Sequence, residues 1–275
     1  MDLIGVAAAL TAATIWALVI FLYKKHMRTL DATAVNFSRL LYVTALMAPA
    51  TLLAEPVPGL WAAVASGLIT LVVGDSLYFY AIHKVGGSVA APIVYTYVII
   101  AQYFALLLGE EVSHRLFLSS LLVVLGAALL ARGGEARLNP LGISAAAAAA
   151  VMWSLGMTAV KLATMGNVHP VVVAYLRAAS ACVVLGLYLA AKRRLKAVKS
   201  PLFALASLMD LGLGSALFAF SVERVGLALA TILASTSPLI TQLYAKTAGV
   251  ENLSARQAAG AVAIFLAILV ATGGR

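Results

Sequence analysis

Two carboxylates of this sequence lie inside apolar runs, where a charged group is costly. Asp75 stands in the stretch GDSLYFY, and Asp210 stands in the stretch ASLMDLGLG. In hydrocarbon a carboxylate at mid-helix costs about 2.5–3.5 kcal/mol unless it faces a cavity or a partner. We interpret Asp75 either as a proton-coupling or amine-binding group or as a hydrogen-bond acceptor that ties two helices together. Asp210 is either a second titrating group or half of a structural ion pair with Lys161 or Arg39, and the ion pair is favoured.

A proline followed by hydroxyl-bearing residues occurs after the first carboxylate. In the second half of the chain, three hydroxyl-bearing residues, 235–237, directly precede Pro238. Pro92 precedes Tyr95 and Thr96, and proline removes a backbone donor and leaves a carbonyl free. Interrupted helices inside a membrane offer such backbone groups to a substrate. We therefore interpret Pro92 and Pro238 as hinges. Tyr95 and Thr96 are better site candidates than Tyr78, because tyrosine is also common in interfacial aromatic belts.

Further polar and aromatic residues are candidates for lining a substrate cavity, and each has a structural alternative. A tryptophan at depth needs a partner for its indole N–H, which favours a cavity wall over an interface anchor. Serine, threonine and glutamine also join membrane helices by ordinary hydrogen bonds. A lysine can hold an anionic group or extend to the membrane surface, and the second role is the interpretation for Arg177. These candidates are Trp16, Trp153, Gln102, Gln242, Ser235, Thr236, Ser237 and Lys161.

The sequence lacks the motifs of soluble enzymes and of ATP-driven pumps. There is no GxxxxGK[ST] phosphate loop, no HExxH, no CxxC and no GxSxG. The single cysteine, Cys182, lies in an apolar run without metal-ligand neighbours and is interpreted as a packed core residue. We therefore expect neither a cofactor nor a metal, and no catalytic residue is assigned.

The composition predicts an all-α, polytopic membrane protein. Hydrophobic residues make up 63% of the chain and charged residues 11%, against about 45–50% and about 25% in soluble domains. The net charge of +9 comes from Lys and Arg grouped between apolar runs, without basic stripes interleaved with aromatics. We therefore expect the lipid bilayer, and not a nucleic acid, as the partner of this chain.

Apolar runs long enough to cross a bilayer recur along the whole chain. A membrane helix needs about 20 mainly apolar residues. On that basis the sequence predicts ten transmembrane helices, at about 3–23, 32–53, 59–82, 88–108, 114–132, 140–163, 168–190, 201–222, 226–248 and 255–273.

The two halves of the chain carry similar residues in the same order. Matching pairs are Trp16 and Trp153, Lys24 and Lys161, Arg39 and Arg177, Gly74 and Gly214, and Glu111 and Glu251. Because each half has an odd number of predicted helices, the second half enters the membrane from the opposite side. The prediction is an inverted repeat of two five-helix units, residues 1–135 and 136–275, with a substrate site near mid-membrane between them. The match fails at Asp75, which aligns with Ser215.

Positive charge is unevenly distributed between the predicted loops. The loops after odd-numbered helices hold most of the Lys and Arg, above all between Lys192 and Lys199. The positive-inside rule places these loops in the cytoplasm. The prediction is a multi-pass protein of the cell membrane with both termini outside.

Together these residues resemble the drug/metabolite transporter superfamily, EamA type. The likeness rests on the Trp, Lys and Arg pairs above, on GDSLYFYAIHKVGGSVAAP and on LLLGEEVS at Leu106–Ser113. It implies export or exchange of small metabolites by alternating access, often coupled to protons, through a cavity formed mainly by the third, fourth, eighth and ninth helices. The chain differs from many members in having Val98 where they have proline, and in lacking a clear Gly-Glu pair at Ala248–Asn252. Many members also have cytoplasmic termini, opposite to the charge distribution found here.

We therefore predict a secondary transporter, an exporter or exchanger, of small metabolites such as amino acids. Protonation of Asp75 is the candidate coupling step, so protons are expected partners beside the small-molecule substrate. An apolar and aromatic cavity with few hydroxyls argues against highly anionic substrates such as sugar phosphates. The alternatives are a multidrug or cation exporter, a lipid flippase or scramblase, and an integral-membrane enzyme with acid, base or metal ligands at one depth.

Overall fold

The computed structural model describes residues 2–24, 32–131, 139–248 and 254–273, and these are helical with short connections and no strand. Of the predicted repeat pairs, Glu251 lies outside the described residues. The helices are α1 (Leu3–Lys24), α2 (Ala32–Leu46), α3 (Leu60–Gly67), α4 (Asp75–Val85), α5 (Gly87–Tyr95), α6 (Tyr97–Leu107), α7 (His114–Leu130), α8 (Pro140–Met165), α9 (Pro170–Ala191), α10 (Pro201–Ser207), α11 (Ser215–Ala234), α12 (Ser237–Thr247) and α13 (Ala255–Thr272).

Local sequence explains where several helices begin. Asn139 accepts hydrogen bonds from two backbone amides of the first turn of α8, and Pro140 then begins the helix without needing a donor. Ser200 caps α10 in the same manner ahead of Pro201. Ser254 and Gln257 form a reciprocal capping box at the start of α13. These caps satisfy the amides that a helix start leaves free.

Two π-helical segments interrupt long helices at corresponding places in the two halves. Leu68–Gly74 joins α3 to α4, and Leu208–Gly214 joins α10 to α11, so the two segments begin 140 positions apart. π segments are rare in proteins overall, and those that do occur are often found at functional sites. Asp75 is the first residue after one segment and Asp210 lies inside the other. One predicted carboxylate therefore lies inside a π segment and the other directly follows one.

The halves also share a chain reversal in the same register: it lies between α4 and α5 in the first half, and in the second half it lies at Gly226, where α11 is broken into two helical parts. Gly86 and Gly226 have φ values of +79° and +87°, which only glycine adopts at low cost. A further interruption follows, at Thr96 in the first half and at Ser235 and Thr236 in the second. Pro92 lies inside α5, one turn before the first interruption, and Pro238 lies in the first turn of α12.

Seven helical runs of the described chain are long and apolar enough to cross a membrane. They are Leu3–Tyr23, Leu60–Val85, Gly87–Leu107, Pro140–Met165, Pro170–Ala191, Pro201–Ala234 and Ala255–Thr272. The helix α7 is a shorter apolar helix. The predicted span 32–53 is α-helical only to Leu46 and continues as a 3₁₀ segment, Ala48–Leu53, because Pro49 cannot continue the hydrogen-bond ladder.

Apolar side chains cover the outside of the bundle as well as its interior. Leu107 is 80% exposed, and Leu187 and Trp61 are also largely exposed. Inside, residues such as Val160 and Phe218 build the largest apolar core, which joins helices of both halves. A surface of this kind fits hydrocarbon, so the fold is that of a multi-span membrane protein.

Candidate functional site

A cavity of about 440 Å³ lies between helices of the two halves. It reaches Ile20 near the end of α1 and Leu130 at the end of α7, so it lies toward the end of the bundle where these helices finish. Its charged and aromatic lining residues are Trp16, Arg39, Asp75, Tyr78, Tyr95, Tyr97, Trp153, Arg177 and Asp210. Four charged side chains, two of each sign, thus share one cavity.

Arg39 and Asp210 form a buried ion pair across the two halves. The Arg39 Nε donates to Asp210 Oδ2 at 3.0 Å, and the Tyr23 hydroxyl donates to the same oxygen at 2.9 Å. The Arg39 guanidinium also lies over the Tyr23 ring, 5.0 Å from its centroid. Asp210 is only 4% exposed. Its charge is therefore compensated by Arg39, which is one of the two partners proposed from sequence.

Asp75 has a different environment. Its Oδ1 accepts a hydrogen bond from the Trp153 indole at 3.1 Å. No cation in the described part of the chain approaches it within ion-pair distance. Its side chain lines the cavity and is partly exposed to it. Asp75 is therefore a carboxylate that a solute in the cavity can reach.

Arg177 is the corresponding unpaired cation. It is 6% exposed and lines the same cavity from α9. Its Nε has no hydrogen-bond partner, and the guanidinium makes no ion pair with any described residue. The sequence interpretation, a side chain extending to the membrane surface, is wrong, because Arg177 lies two turns into α9 on its buried face.

Two tryptophans from the first helix of each half hold the two carboxylate-bearing segments. The Trp16 indole donates to the backbone oxygen of Asp210 at 3.1 Å, whereas Trp153 donates to the Asp75 side chain. Each indole lies on a glycine at the end of a π segment. A Cβ on Gly214 would lie 2.6 Å from Trp16 Nε1, and a Cβ on Gly74 would lie 2.5 Å from Trp153 Cδ1. Only glycine permits this approach.

An aromatic wall continues from Trp153. The Tyr78 and Tyr97 rings meet it edge-on, with centroids 5.3 Å and 5.7 Å away. Tyr95 contacts Tyr97 at a centroid distance of 6.0 Å. Edge-to-face contacts of this kind are favourable beyond the area that they bury. The wall gives one side of the cavity an apolar, rigid surface beside Asp75.

The structure brings most, but not all, of the predicted site residues to this cavity. Those in its lining are Trp16, Asp75, Tyr78, Tyr95, Trp153, Asp210, Ser237, Pro238 and Gln242. Those outside it are Pro92, Thr96, Gln102, Lys161, Ser235 and Thr236. Arg39 and Arg177 are cavity residues that were not among the predicted site residues. The sequence signal that pointed to these two residues is that the second predicted helix of each half contains an arginine at a matching position.

The residues outside the lining have structural partners that explain their position. Gln102 is fully buried, and its amide donates to the Val98 and Ala228 carbonyls. The Thr96 and Thr236 hydroxyls donate to carbonyls of their own preceding turns. Ser235 is hydrogen-bonded to the Tyr97 hydroxyl. These residues therefore make ordinary hydrogen bonds within and between helices, which was the structural alternative given for them.

Lys161 belongs to a second polar cluster. Its Nζ lies 3.0 Å from Glu110 Oε1, and the Glu110 carboxylate accepts hydrogen bonds from the Leu227 and Ala228 amides at 2.7 and 3.0 Å. These amides are freed where the chain reverses at Gly226. An anion at a helix start is stabilising. We call Glu110, Lys161 and this helix start the latch.

The latch lies at the other end of the bundle from the central cavity. Gly5, at the start of α1, packs directly on Val225, the residue before the chain reversal. Nearby, Asp2 pairs with Arg224 at 3.1 Å. The Gly5 amide donates to Asp2, and this hydrogen bond lowers the pKa of the Asp2 carboxyl. Polar and packing contacts thus join α1 to α11 at this end of the bundle, where α1 begins.

Comparisons with known proteins agree with this architecture. The EamA-like transporter family matches twice, over residues 3–132 and over residues 140–273. An uncharacterized transporter of Archaeoglobus fulgidus is 27% identical over 276 residues, covering 98% of both chains. A protein of known crystal structure has the same fold, with a TM-score of 0.81, 18% identity and 98% coverage of both chains. Because the family match spans nearly the whole sequence, this chain belongs to the EamA-like transporter family.

Proposed function

We propose that the chain is a secondary transporter, an exporter or exchanger, that moves small metabolites such as amino acids by alternating access. The observation that carries this proposal is the central cavity, which helices of both halves line with reachable charges and an aromatic wall. Sites of this type favour small solutes with a few polar groups. Membership of a transporter family supports the same conclusion.

The mechanism that we propose is rocking of two inverted five-helix units, 1–135 and 136–275, with ten spans in all. Support comes from the matched π segments, the matched reversals at Gly86 and Gly226, and the two matches of the family. In inverted-repeat transporters the substrate site lies at the repeat interface. The central cavity, which residues of both halves line, supports this proposal.

Alternating access requires that one end be closed while the other is reachable. The latch and the large apolar core support closure at the end where α1 begins. By the positive-inside rule the opposite end, toward which the cavity lies, is cytoplasmic, and both termini are outside the cell membrane. Reporter fusions at the C-terminus test this orientation, which fails if a cytoplasmic reporter is active there.

A multidrug or cation exporter is the second candidate. Asp75 without an ion-pair partner favours it, because a carboxylate beside aromatic rings is a site for organic cations. Arg177 in the same cavity opposes it, since a cation would meet a like charge there. A lipid flippase or scramblase, and an integral-membrane enzyme, remain further alternatives that the transport assay separates.

The test is uptake of a metabolite panel by proteoliposomes with an imposed pH gradient, with and without a proton uncoupler. Movement of a solute that the uncoupler abolishes supports proton-coupled transport. Movement that the uncoupler leaves unchanged supports transport but removes the coupling. If no solute moves in either direction, the transporter proposal fails.

Asp75 is the proposed coupling residue, and its removal gives a sharper test. Asp75→Asn keeps the hydrogen bond from Trp153 but cannot carry a proton. We expect gradient-driven uptake to fall to the level seen without a gradient. Glu223→Gln, an exposed carboxylate outside the central cavity, is the matched control and should behave as the parent. Unchanged gradient-driven uptake by Asp75→Asn would exclude the coupling role.

A further inference from the structure

The four charges of the central cavity are not used in the same way. Arg39 and Asp210 neutralise each other. Asp75 and Arg177 each line the cavity without an ion-pair partner among the described residues. One anion and one cation without an ion-pair partner among the described residues therefore line a single cavity.

Comparison of the two halves shows why these two charges are left over. The π segments are in register at a spacing of 140 positions, so Asp210 corresponds to Thr70. Arg177 corresponds to Arg39, which Asp210 neutralises in the other half. Thr70 carries no charge to neutralise Arg177, and its buried hydroxyl also lacks a partner. The reverse holds for Asp75, because Ser215 stands at its corresponding position.

Leaving a buried charge without a partner is unfavourable unless something else compensates it. A zwitterion compensates both charges at once and leaves the cavity neutral. An organic cation satisfies Asp75 but leaves Arg177 uncompensated, and an organic anion does the opposite. The charge arrangement thus selects for a solute that carries both signs.

We propose that the central cavity binds zwitterionic solutes of the amino-acid type. The solute carboxylate is held by the Arg177 guanidinium and the solute ammonium by the Asp75 carboxylate. Its apolar group lies against the wall formed by Trp153, Tyr78 and Tyr95. A guanidinium offers paired donors that fit a carboxylate, and a cavity of about 440 Å³ suits a solute of this size. This assignment rests on the proposed transport function and specifies its substrate class.

The test measures binding to the purified chain, for example by ligand-induced thermal stabilisation and calorimetry. A panel of the common amino acids is compared with matched single-charge analogues. L-phenylalanine is paired with 2-phenylethylamine, which lacks the carboxylate, and with 3-phenylpropanoate, which lacks the ammonium. We expect at least one amino acid to bind about 30-fold or more tightly than either of its analogues, because a buried charge then stays unpaired.

Two cavity variants assign the ends of the solute. Arg177→Gln should weaken amino-acid binding about 30-fold or more while leaving the amine analogue unchanged or better bound, and Arg177→Lys should restore part of the loss. Asp75→Asn should show the mirror pattern with the acid analogue. Arg194→Gln, which removes an exposed arginine outside the central cavity, is the matched control. Size-exclusion chromatography confirms that each variant is folded.

The outcomes separate this assignment from the proposed function. If the amine analogue binds and is transported as well as the amino acid, the chain is a cation transporter and the zwitterion assignment is overturned. If amino acids bind, but Arg177→Gln weakens their binding no more than it weakens the binding of the amine analogues, the role of Arg177 is overturned. If no solute of any charge class moves in proteoliposomes, the transport proposal itself has failed.

Discussion

At the scale of single residues, the Arg39–Asp210 pair and the Asp75–Arg177 couple share a cavity but differ in purpose. The first pair is bonded directly and to Tyr23, so it is a fixed part of the fold. The second couple has no direct bond and is available to a solute. The effects of substitutions at these four positions should therefore divide into stability and binding.

Breaking the fixed pair should be costly. Arg39→Met leaves the Asp210 carboxylate buried without its cation, and we expect the free energy of unfolding to fall by about 3–5 kcal/mol. The double variant Arg39→Met with Asp210→Leu removes both charges and should recover much of that loss. Thermal and denaturant unfolding in detergent measure both. Additive losses in the double variant would show that the pair is not coupled.

Sequence reasoning reached Asp75, Trp16 and Trp153 because each is a polar or large group in an apolar run. Sequence reasoning missed the position of Arg177 in the cavity. Whether this side chain is buried depends on which face of α9 packs inward, and a helix that is apolar on all sides gives no periodic signal of that face. Gln102 was misplaced for the same reason. Its amide reaches the Ala228 carbonyl, a partner 126 residues away that local sequence does not reveal.

At the scale of helices, the close approach of α8 to the segment before α4 positions the Asp75 site. Trp153 can reach Asp75 only because Gly74 has no side chain. The interrupted geometry there is a π segment, and its apolar sequence, LITLVVG, contains nothing that separates it from an ordinary helix. The long helices were thus predictable from hydropathy. The two π segments, one of which contains Asp210 while the other ends just before Asp75, were not.

Filling that contact should disturb the site. In Gly74→Ala the new Cβ would lie 2.5 Å from the Trp153 ring, so the indole must move away from Asp75. We expect a loss of about 1–3 kcal/mol in the free energy of unfolding and a clear fall in uptake. Gly87→Ala is the matched control, because a Cβ there meets nothing within 4 Å. Equal behaviour of the two variants would contradict the proposed role of the contact.

At the scale of the whole molecule, the latch and the central cavity lie toward opposite ends of one bundle. Both reversals pack on the first helix of the other half, Val225 on Gly5 and Val85 on Gly142, and Glu110 in addition accepts hydrogen bonds from the amides that follow Gly226. The two halves thus share both a backbone plan and this contact, and the latch adds a carboxylate at the Gly226 reversal. In the proposed alternating-access cycle, we expect the latch to form when the end at which α1 begins is closed.

Weakening the latch should open the closed end. Glu110→Gln removes the charge that Lys161 pairs with, and an ion pair of about 1 kcal/mol shifts a two-state equilibrium about fivefold. The readout is maleimide labelling of Leu229→Cys, a buried position beside the latch, in a Cys182→Ser background. We expect labelling to accelerate by roughly that factor. Glu111→Gln is the neighbouring control, and a rate equal to that control would contradict the latch.

The balance of charges inside the cavity has an electrical consequence. The net charge of the cavity is zero, because two arginines, Arg39 and Arg177, balance two aspartates, Asp75 and Asp210. A zwitterion bound between Arg177 and Asp75 leaves that net charge at zero. A proton on Asp75 instead gives the cavity one positive charge, which the membrane potential acts on with about 2.3 kcal/mol per 100 mV. In the proposed mechanism the substrate ammonium and the proton compete for the Asp75 carboxylate, so the substrate-loaded step should be voltage-independent and the proton-loaded step voltage-dependent. Currents on solid-supported membranes should therefore arise only from the return of the proton-loaded cavity.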